Sequence, residues 1–188
     1  MNFNVLFYSS EISLAKGDYF PQVIKTISEV IQLTRLILLG GPPGVGKSTV
    51  LKSSSLSCFR CLEADDIWEP NKLGTRQEAI NEVIQVVDAS LNASKTVILS
   101  WVFSRSELYT PFFDYFSNLT SLQLIYLVCD SQTLVSRLQS RETGLQKNYA
   151  LEKLKLIQAL PFYKIDTTGK PPTTVAQLLL GAIQFTLE

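Results

Sequence analysis

The sequence predicts an α/β domain in which a parallel β-sheet is covered by helices on both faces. Short, nearly continuous Val/Ile/Leu runs alternate along the chain with longer amphipathic stretches, and strands buried on both faces have this appearance. Hydrophobic residues make up 46% of the 188 residues and charged residues 18%. This composition is typical of a globular chain that is long enough to bury a full core. Successive parallel strands then require right-handed crossovers through the intervening helices.

Five apolar runs are predicted as the strands of this sheet. The first, RLILLG, is a short apolar run that stops at a glycine. The others share its content of Val, Ile, Leu and aromatic residues, which suits a pleated and buried surface. In chain order, the predicted strands cover residues 35–40, 58–64, 96–103, 122–129 and 161–166.

Amphipathic stretches of helical length follow the predicted strands, and each supplies an apolar face that can cover the sheet. The predicted helices cover residues 47–54, 76–92, 105–116, 132–141, 149–160 and 173–187. Before the first strand, residues 2–9 alternate like a strand and residues 19–34 have a helical pattern with a proline near its start. We therefore expect one domain over residues 1–188, in which residues 1–34 form a cover segment on a core made by residues 35–188.

Charge, histidine and cysteine content argue against several classes of function. Lys plus Arg and Asp plus Glu both number 17, which argues against an extended nucleic-acid surface or an anionic membrane partner. The chain has no histidine, so catalysis by a histidine base is excluded. A CxxC at 58–61 lacks a second cysteine pair or a histidine to complete a zinc site, and we expect plain buried thiols. No apolar run approaches the ~18 residues of a membrane span, so we expect a cytoplasmic protein.

The turn after the first predicted strand carries the most specific motif. Residues 41–48, GPPGVGKS, match the phosphate-binding loop pattern G-x-x-x-x-G-K-[ST]. Its glycines allow the backbone N–H groups to turn toward an anion, and the helix that follows points its N-terminus at the same anion. An apolar strand before the motif and a helix after it are the expected context. The alternative is a structural turn rich in Gly and Pro.

This motif predicts a binding site for a nucleoside triphosphate and Mg²⁺. We expect Lys47 to reach the β- and γ-phosphates and the Ser48 hydroxyl to bind Mg²⁺. The residues predicted to bind the nucleotide are Gly41, Pro42, Pro43, Gly44, Val45, Gly46, Lys47, Ser48, Thr49 and Asp166.

Three acidic residues lie at the end of the second predicted strand, in the stretch LEADDIWE. The C-terminal ends of parallel strands border the ligand crevice, so Glu63, Asp65 and Asp66 are expected to face the γ-phosphate region. Carboxylates there can bind a water of the Mg²⁺ shell, orient an acceptor hydroxyl or accept its proton. We predict Glu63 as a metal ligand and the two aspartates as acceptor-binding residues. The alternative for either aspartate is an N-cap.

The stretch SRLQSR places Arg137 and Arg141 four residues apart, on one face of a predicted helix. A short flap with a glycine and Lys147 follows. Two guanidinium groups that fold over a triphosphate provide the charge stabilisation that phosphoryl transfer needs. The alternative is a solvated helix face.

The stretch IDTTGKPPTT predicts a strand end, a turn and a capped helix. Asp166 to Lys170 would then lie beside the phosphate-binding loop, where a purine can rest against the backbone. We predict Asp166 as a nucleotide-binding residue on this ground. A purely structural turn is the alternative.

The phosphate-binding loop, the acidic residues after the second strand, the RxxxR helix and the IDTT stretch together resemble the small P-loop kinases. That group includes nucleoside monophosphate, shikimate and gluconate kinases and phosphotransferases of the chloramphenicol type. Over residues 35–188, the resemblance implies a three-layer fold with five parallel strands in the order 2-3-1-4-5, to which residues 1–34 can add a strand and a helix. It also implies transfer of the ATP γ-phosphate to a small acceptor, in which Asp65 contacts the acceptor hydroxyl and Arg137 and Arg141 are lid arginines.

The sequence departs from this group in two respects. Many members carry an aspartate at the end of the third strand for the Mg²⁺ shell, where this chain has Ser100. Either Glu63 or Asp65 then supplies that contact, or the metal site is weaker. The acceptor motifs of shikimate and gluconate kinases are also missing, so the resemblance does not name the acceptor.

Aromatic residues surround the expected acceptor pocket beyond the third strand. Those that can line it are Trp68, Trp101, Phe103, Tyr109, Phe112 and Phe113. Aromatic residues at helical spacing are otherwise core residues. Alternation along the third strand places Trp101 and Phe103 on one face, and Arg105 can hold an acidic or phosphorylated group or lie at the surface. We predict Trp101 and Arg105 as acceptor-binding residues.

These observations predict a kinase that works mainly by positioning and charge neutralisation. The predicted catalytic residues are Lys47, Asp65, Arg137 and Arg141. The alternatives are an ATPase or switch module without an acceptor, and a nucleotide-binding protein without chemistry, which only Ser100 favours. We identify neither the strong Walker B pattern nor the sensor or partner surface that is typical of a switch module.

Overall fold

The computed structural model describes residues 34–68, 74–139 and 147–184. The cover segment predicted for residues 1–34 lies outside this part of the chain except for Thr34. Arg141 lies outside it as well.

The described strands form one sheet in which every neighbouring pair is parallel. They are β1 (Arg35–Gly40), β2 (Arg60–Glu63), β3 (Thr96–Ser100), β4 (Ser121–Val128) and β5 (Tyr163–Asp166). Their order in the sheet is β2-β3-β1-β4-β5. The predicted five-stranded parallel sheet and its strand order are therefore confirmed.

Helices connect the strands and cover the sheet. The described helices are α1 (Lys47–Leu51), α2 (Ala64–Ile67), α3 (Arg76–Ala93), α4 (Ser106–Phe116), α5 (Ser131–Gln139), α6 (Lys147–Ala159) and α7 (Pro172–Gln184). A short 3₁₀ turn, Ser54–Leu56, follows α1. Within the described ranges, no helix combines the length and the apolar content that crossing a membrane requires.

Each face of the sheet carries its own hydrophobic core, because successive side chains of a strand point to opposite faces. Leu36 and Leu38 of β1 pack into the core that α3 and α4 cover. Ile37 and Leu39 pack into the core that α1, α5 and α7 cover. All four are at most 2% exposed, and burying such a side chain contributes about 1.5–3 kcal/mol. The two cores hold the ends of the strands in the fixed arrangement that the site requires.

The chain leaves the sheet at the end of β3 earlier than the sequence predicts. The strand ends at Ser100, and the prediction that it continues to Phe103 is wrong. Phe103 has a φ of +24°, which a bulky residue rarely adopts, and its ring lies in the core against Phe112 with 5.6 Å between centroids. The hydroxyl of Tyr126 donates a 2.6 Å hydrogen bond to the Phe103 carbonyl, which holds this loop in place.

Tyr126 also lies against the last residue of β1. Its ring occupies the space beside Gly40, where a Cβ atom would lie 2.2 Å from Cε1 of the ring. Only glycine leaves room for the ring at this position. Burial raises the pKa of the Tyr126 hydroxyl, so the group stays protonated and remains a donor.

Candidate active site

The loop between β1 and α1 depends on two glycines. Gly46 caps α1 with a φ of +107° and Gly44 has a φ of +83°, both in the region that favours glycine. A Cβ atom at Gly44 would also lie 2.7 Å from Cδ2 of Leu138. The loop is therefore packed closely against α5, and a side chain at this position would push the two apart.

Lys47 begins α1 and lies within the curve of this loop. Its Nζ donates hydrogen bonds to the carbonyls of Gly41 at 2.8 Å and Pro42 at 3.2 Å. The ammonium group is thus held where a loop of this kind binds a phosphate. A compact positive charge surrounded by loop backbone is suited to a polyphosphate chain.

Ser48 and Glu63 come together on one side of the loop. The Ser48 hydroxyl donates a hydrogen bond to Oε2 of Glu63 at the end of β2. Ser100 pairs with Glu63 in the β2–β3 register and is buried. Mg²⁺ prefers oxygen ligands and is usually held by one or two protein oxygens, nucleotide phosphates and water. The chemistry of the hydroxyl and the carboxylate fits such an ion, and their role as metal ligands stays a prediction.

The loop separates two clefts. The larger, about 550 Å³, is lined by Pro43, Lys47, Asp65, Trp68, Gly74, Arg76, Ala79, Trp101, Val102, Ser104, Arg105, Leu108, Tyr149 and Lys153. The smaller, about 260 Å³, is lined by Gly44, Val45, Gly46, Thr49, Val50, Arg137, Thr167, Lys170, Pro172 and Val175. A phosphate chain bound along the loop has one cleft at each of its ends.

Three of the predicted acceptor-binding residues line the larger cleft: Asp65, Trp101 and Arg105. Asp66 is exposed and does not line it. The N-cap alternative is wrong for both aspartates, because Glu63 occupies the N-cap of α2 and the aspartates lie in its first turn. Two neighbouring aspartates that look equivalent in the sequence are thus separated by the short helix.

The aromatic residues divide between the cleft and the core. Trp68 and Trp101 line the larger cleft. Phe103 and Phe112 are fully buried in the core, and Tyr109 and Phe113 are partly buried against it. Of the six aromatic residues predicted for this pocket, the two tryptophans are therefore available as walls for a ligand, and Tyr109, Phe112 and Phe113 of α4 belong to the core.

Four polar residues that the sequence analysis did not assign also line the larger cleft: Arg76, Ser104, Tyr149 and Lys153. A signal existed for two of them. Lys153 interrupts the apolar stripe of α6, and it is buried together with Ala150 and Leu154. Arg76 places a cation in the first turn of a helix, where the helix dipole disfavours it. A capping box between Thr75 and Glu78 fixes that helix start, and these hydrogen bonds lower the pKa of Glu78.

Arg137 lies in the smaller cleft and connects two of its walls. Its guanidinium group donates to the Val45 carbonyl at 2.8 Å, to the Thr167 hydroxyl at 2.9 Å and to the Thr167 carbonyl at 2.9 Å. The solvated-face alternative is therefore wrong for this residue. The guanidinium group ties the phosphate-binding loop to the segment that follows β5.

Asp166 ends β5 but does not line the smaller cleft, although Thr167 and Lys170 do. Its carboxylate accepts a hydrogen bond from the Thr168 N–H at 3.0 Å and lies 3.5 Å from Nζ of Lys170. The Thr168 hydrogen bonds are the main reason that the pKa of this carboxyl is lowered. The geometry matches the structural turn that the sequence left as an alternative.

The CxxC cysteines do not form a reactive pair. Cys58 is exposed, so the expectation of buried thiols is wrong for this residue. Burial raises the pKa of the Cys61 thiol, and it also raises that of Cys129. The neutral thiol is the poorer nucleophile and metal ligand.

Comparison with known proteins places this geometry in a known fold. The family model described as "AAA domain" matches residues 37–156. A tunicamycin resistance protein from Deinococcus radiodurans is 17% identical, with a TM-score of 0.63 over 80% of this chain and 96% of that chain. A sugar kinase from Janibacter sp. is 17% identical, with a TM-score of 0.59 over 80% of this chain and 94% of that chain.

A shikimate kinase from Acinetobacter baumannii, solved with shikimate, is 18% identical, with a TM-score of 0.57 over 85% of this chain and 98% of that chain. Similarity at this level of identity shows a shared fold. The predicted resemblance to the small P-loop kinases and the predicted three-layer fold are therefore confirmed. A sequence search of curated proteins finds no match.

Proposed function

The chain belongs to the AAA domain family, and on that premise we propose that it is a P-loop kinase that transfers the γ-phosphate of MgATP to a hydroxyl of a small molecule. The observation that carries the proposal is the pair of clefts that border one phosphate-binding loop, each lined by different residues of that loop. A nucleotide base needs one cleft, and the transferred phosphate needs an acceptor in the other. A protein that only hydrolyses ATP needs no second cleft.

The smaller cleft suits the nucleotide. Backbone of the loop, Thr49 and the segment around Thr167 line it, and the Arg137 hydrogen bonds hold these walls together. Backbone walls of this kind accept a flat base and leave the phosphate chain to follow the loop toward Lys47. We propose ATP as the nucleotide and the cytoplasm as the place of action.

The residues near the transferred phosphate have complementary roles. Lys47 neutralises the charge on the phosphate oxygens, and Ser48 with Glu63 would hold Mg²⁺ and one of its waters. When bound, Mg²⁺ contributes charge neutralisation on the β- and γ-phosphates. Asp65 lines the larger cleft, as Lys47 does, and in this proposal its carboxylate orients the acceptor hydroxyl and accepts its proton. The hydroxyl oxygen bonds to the γ-phosphorus in line with the departing ADP oxygen.

Positioning and charge account for most of the expected acceleration, because the transition state of such transfers is largely dissociative. Arg137 supports this by fixing the loop that holds the phosphates. We propose that Arg141 closes over the transferring group from the neighbouring segment.

The test is ADP formation from MgATP with and without a panel of hydroxyl-bearing acceptors, namely sugars, sugar acids, sugar phosphates, nucleosides and nucleotides. We expect the rate of ADP formation to rise with at least one acceptor, and mass spectrometry to find that acceptor one phosphate heavier. An equal rate without any acceptor would support the ATPase alternative. Nucleotide binding without ADP formation would support a protein that only binds.

A further inference from the structure

The larger cleft carries more positive than negative charge among its described lining residues. The described lining has four cationic side chains and one carboxylate, that of Asp65. The cations are Lys47, Arg76, Arg105 and Lys153. Lys47 serves the nucleotide phosphates in the proposed function, which leaves three cations for the acceptor. We propose that the acceptor carries an oxyanion, a carboxylate or a phosphate ester, which these three cations bind. This inference rests on the proposed function, because it names the chemical class of the acceptor.

Lys153 is the most unusual of these cations because it is only 8% exposed. Its Nζ lies 3.1 Å from a carboxylate oxygen of Glu152 and 4.8 Å from the centre of the Tyr149 ring. A lysine is rarely buried unless its charge is paired. The same Glu152 oxygen lies 3.5 Å from the guanidinium group of Arg105. One half-exposed carboxylate thus serves two cations, and a positive charge is left over for a ligand.

Arg76 adds a third positive charge from another element. It is the first residue of α3, an 18-residue helix that the Thr75–Glu78 capping box holds in place. The start of a helix already has a partial positive charge, so a cation there does not stabilise the helix. Arg76 makes no ion pair with another described residue. Its position instead raises the positive potential of the cleft, which attracts an anion.

Ser104 provides an independent observation. It lines the cleft and is 3% exposed, and its Oγ has no hydrogen-bond partner among the described residues. Buried hydroxyls almost always have a partner, and an unmade bond destabilises the fold. The Tyr126 hydrogen bond to Phe103 holds the loop that carries Ser104. A hydroxyl fixed in the wall of the cleft that also carries the three cations is a fourth donor for an oxyanion, and a bound acceptor would satisfy it.

Equilibrium binding tests the inference without requiring turnover. With the phosphate-binding loop saturated by MgADP, isothermal titration calorimetry compares glucose with gluconate and glucose 6-phosphate, and thymidine with thymidine 5′-monophosphate. We expect an anionic member of at least one series to bind at least about tenfold more tightly than its neutral partner. The carboxylate and phosphate arms then distinguish the two kinds of oxyanion. Equal binding, or no binding of any anionic member, would overturn the inference.

Variants show whether the named cations are responsible. Arg105→Gln changes an exposed residue that does not hold the core, and Lys153→Gln removes the buried charge. Both are expected to weaken binding of the preferred anion about tenfold or more and to leave the neutral compound unaffected. Lys155→Gln, exposed on the same helix, is the matched control and should bind like wild type. Unchanged anion binding in both cleft variants would contradict the inference.

The outcomes also separate this inference from the proposed function. If the protein phosphorylates a neutral acceptor and shows no preference for anions, the proposed kinase function stands and the oxyanion inference is wrong. If it binds anions selectively but forms no ADP, the oxyanion site stands and the proposed kinase function is wrong. Ser104→Ala should weaken anion binding without lowering the melting temperature, since its hydroxyl has no hydrogen-bond partner among the described residues to lose.

Discussion

The two clefts beside the phosphate-binding loop are built in different ways. Glycines and small side chains make up much of the described lining of the smaller cleft, and the guanidinium group of Arg137 in that lining is bonded to Val45 and Thr167. Long polar and aromatic side chains from separate elements line much of the larger cleft. A lining of backbone and small side chains suits a ligand that many proteins of one fold share, such as a nucleotide. A lining of long side chains can be changed by single substitutions, which suits a cleft whose ligand differs from one protein to the next.

The largest expected effect on kcat comes from a substitution of Lys47 in the phosphate-binding loop, which borders both clefts. Lys47→Ala removes the charge that the loop carbonyls hold, and kcat should fall about 100- to 1,000-fold because the transition state loses a charged donor. Steady-state ADP formation measures this, with circular dichroism to show that the fold remains. Lys52→Ala, an exposed lysine just beyond α1, is the control. Full activity in Lys47→Ala would rule out the proposed role of the loop.

A change confined to the acceptor side should be next in size. Asp65→Asn removes the carboxylate that orients the acceptor hydroxyl, and kcat should fall about 100-fold, the scale of general-base catalysis. The KM for ATP should stay the same, because the smaller cleft is untouched. Asp66→Asn is the neighbouring control, since Asp66 does not line the cleft. If both variants lose activity equally, the structure has not separated their roles.

A change confined to the nucleotide side should act mainly on stability and affinity. Arg137→Gln removes charged hydrogen bonds to Val45 and Thr167, and the free energy of unfolding should fall by about 2 kcal/mol. Nucleotide affinity should fall with it, because the loop loses its connection to the segment after β5. Urea unfolding and ATP titration measure the two effects, with the exposed Gln139→Ala as control. Wild-type stability would show that Arg137 does not hold the loop.

The smallest effect is expected from the hydroxyl that holds the acceptor-side loop. Tyr126→Phe keeps the ring and removes the bond to the Phe103 carbonyl, so the protein should lose about 1 kcal/mol of stability. The KM for the acceptor should rise more than the KM for ATP, because Ser104 and Arg105 follow Phe103 directly. An equal rise in both values would mean that the loop does not distinguish the clefts.

The phosphate-binding loop and its surroundings were predictable because their geometry depends on local backbone. The first strand begins and ends at the predicted residues, 35 and 40, and the glycine motif specifies the turn that follows. Ser48 and Glu63 meet because the ends of parallel strands and the helices after β1 lie at one edge of the sheet. Adjacent elements and general rules for parallel sheets were sufficient for these residues, but not for Asp166, which does not line the smaller cleft.

The lining of the larger cleft was predicted only in part. Arg76, Ser104 and Lys153 come from three elements that are far apart in the chain, and helical periodicity indicates burial but not which cleft a side chain borders. The predicted strand over 96–103 was too long because Trp101, Val102 and Phe103 continue its apolar pattern. The backbone turns there nonetheless, since the Tyr126 hydroxyl and the core pocket for the Phe103 ring stabilise a conformation with positive φ.

The contact between Gly40 and the Tyr126 ring limits how such a chain can evolve. A larger residue at position 40 requires a smaller one at position 126, and the smaller one gives up the hydroxyl that holds Phe103. A substitution at position 40, just before the phosphate-binding loop, therefore also affects the loop after β3 that lines the larger cleft. Single substitutions of lining residues such as Arg76 and Lys153 can change the larger cleft. A change at position 40 requires a second substitution at position 126.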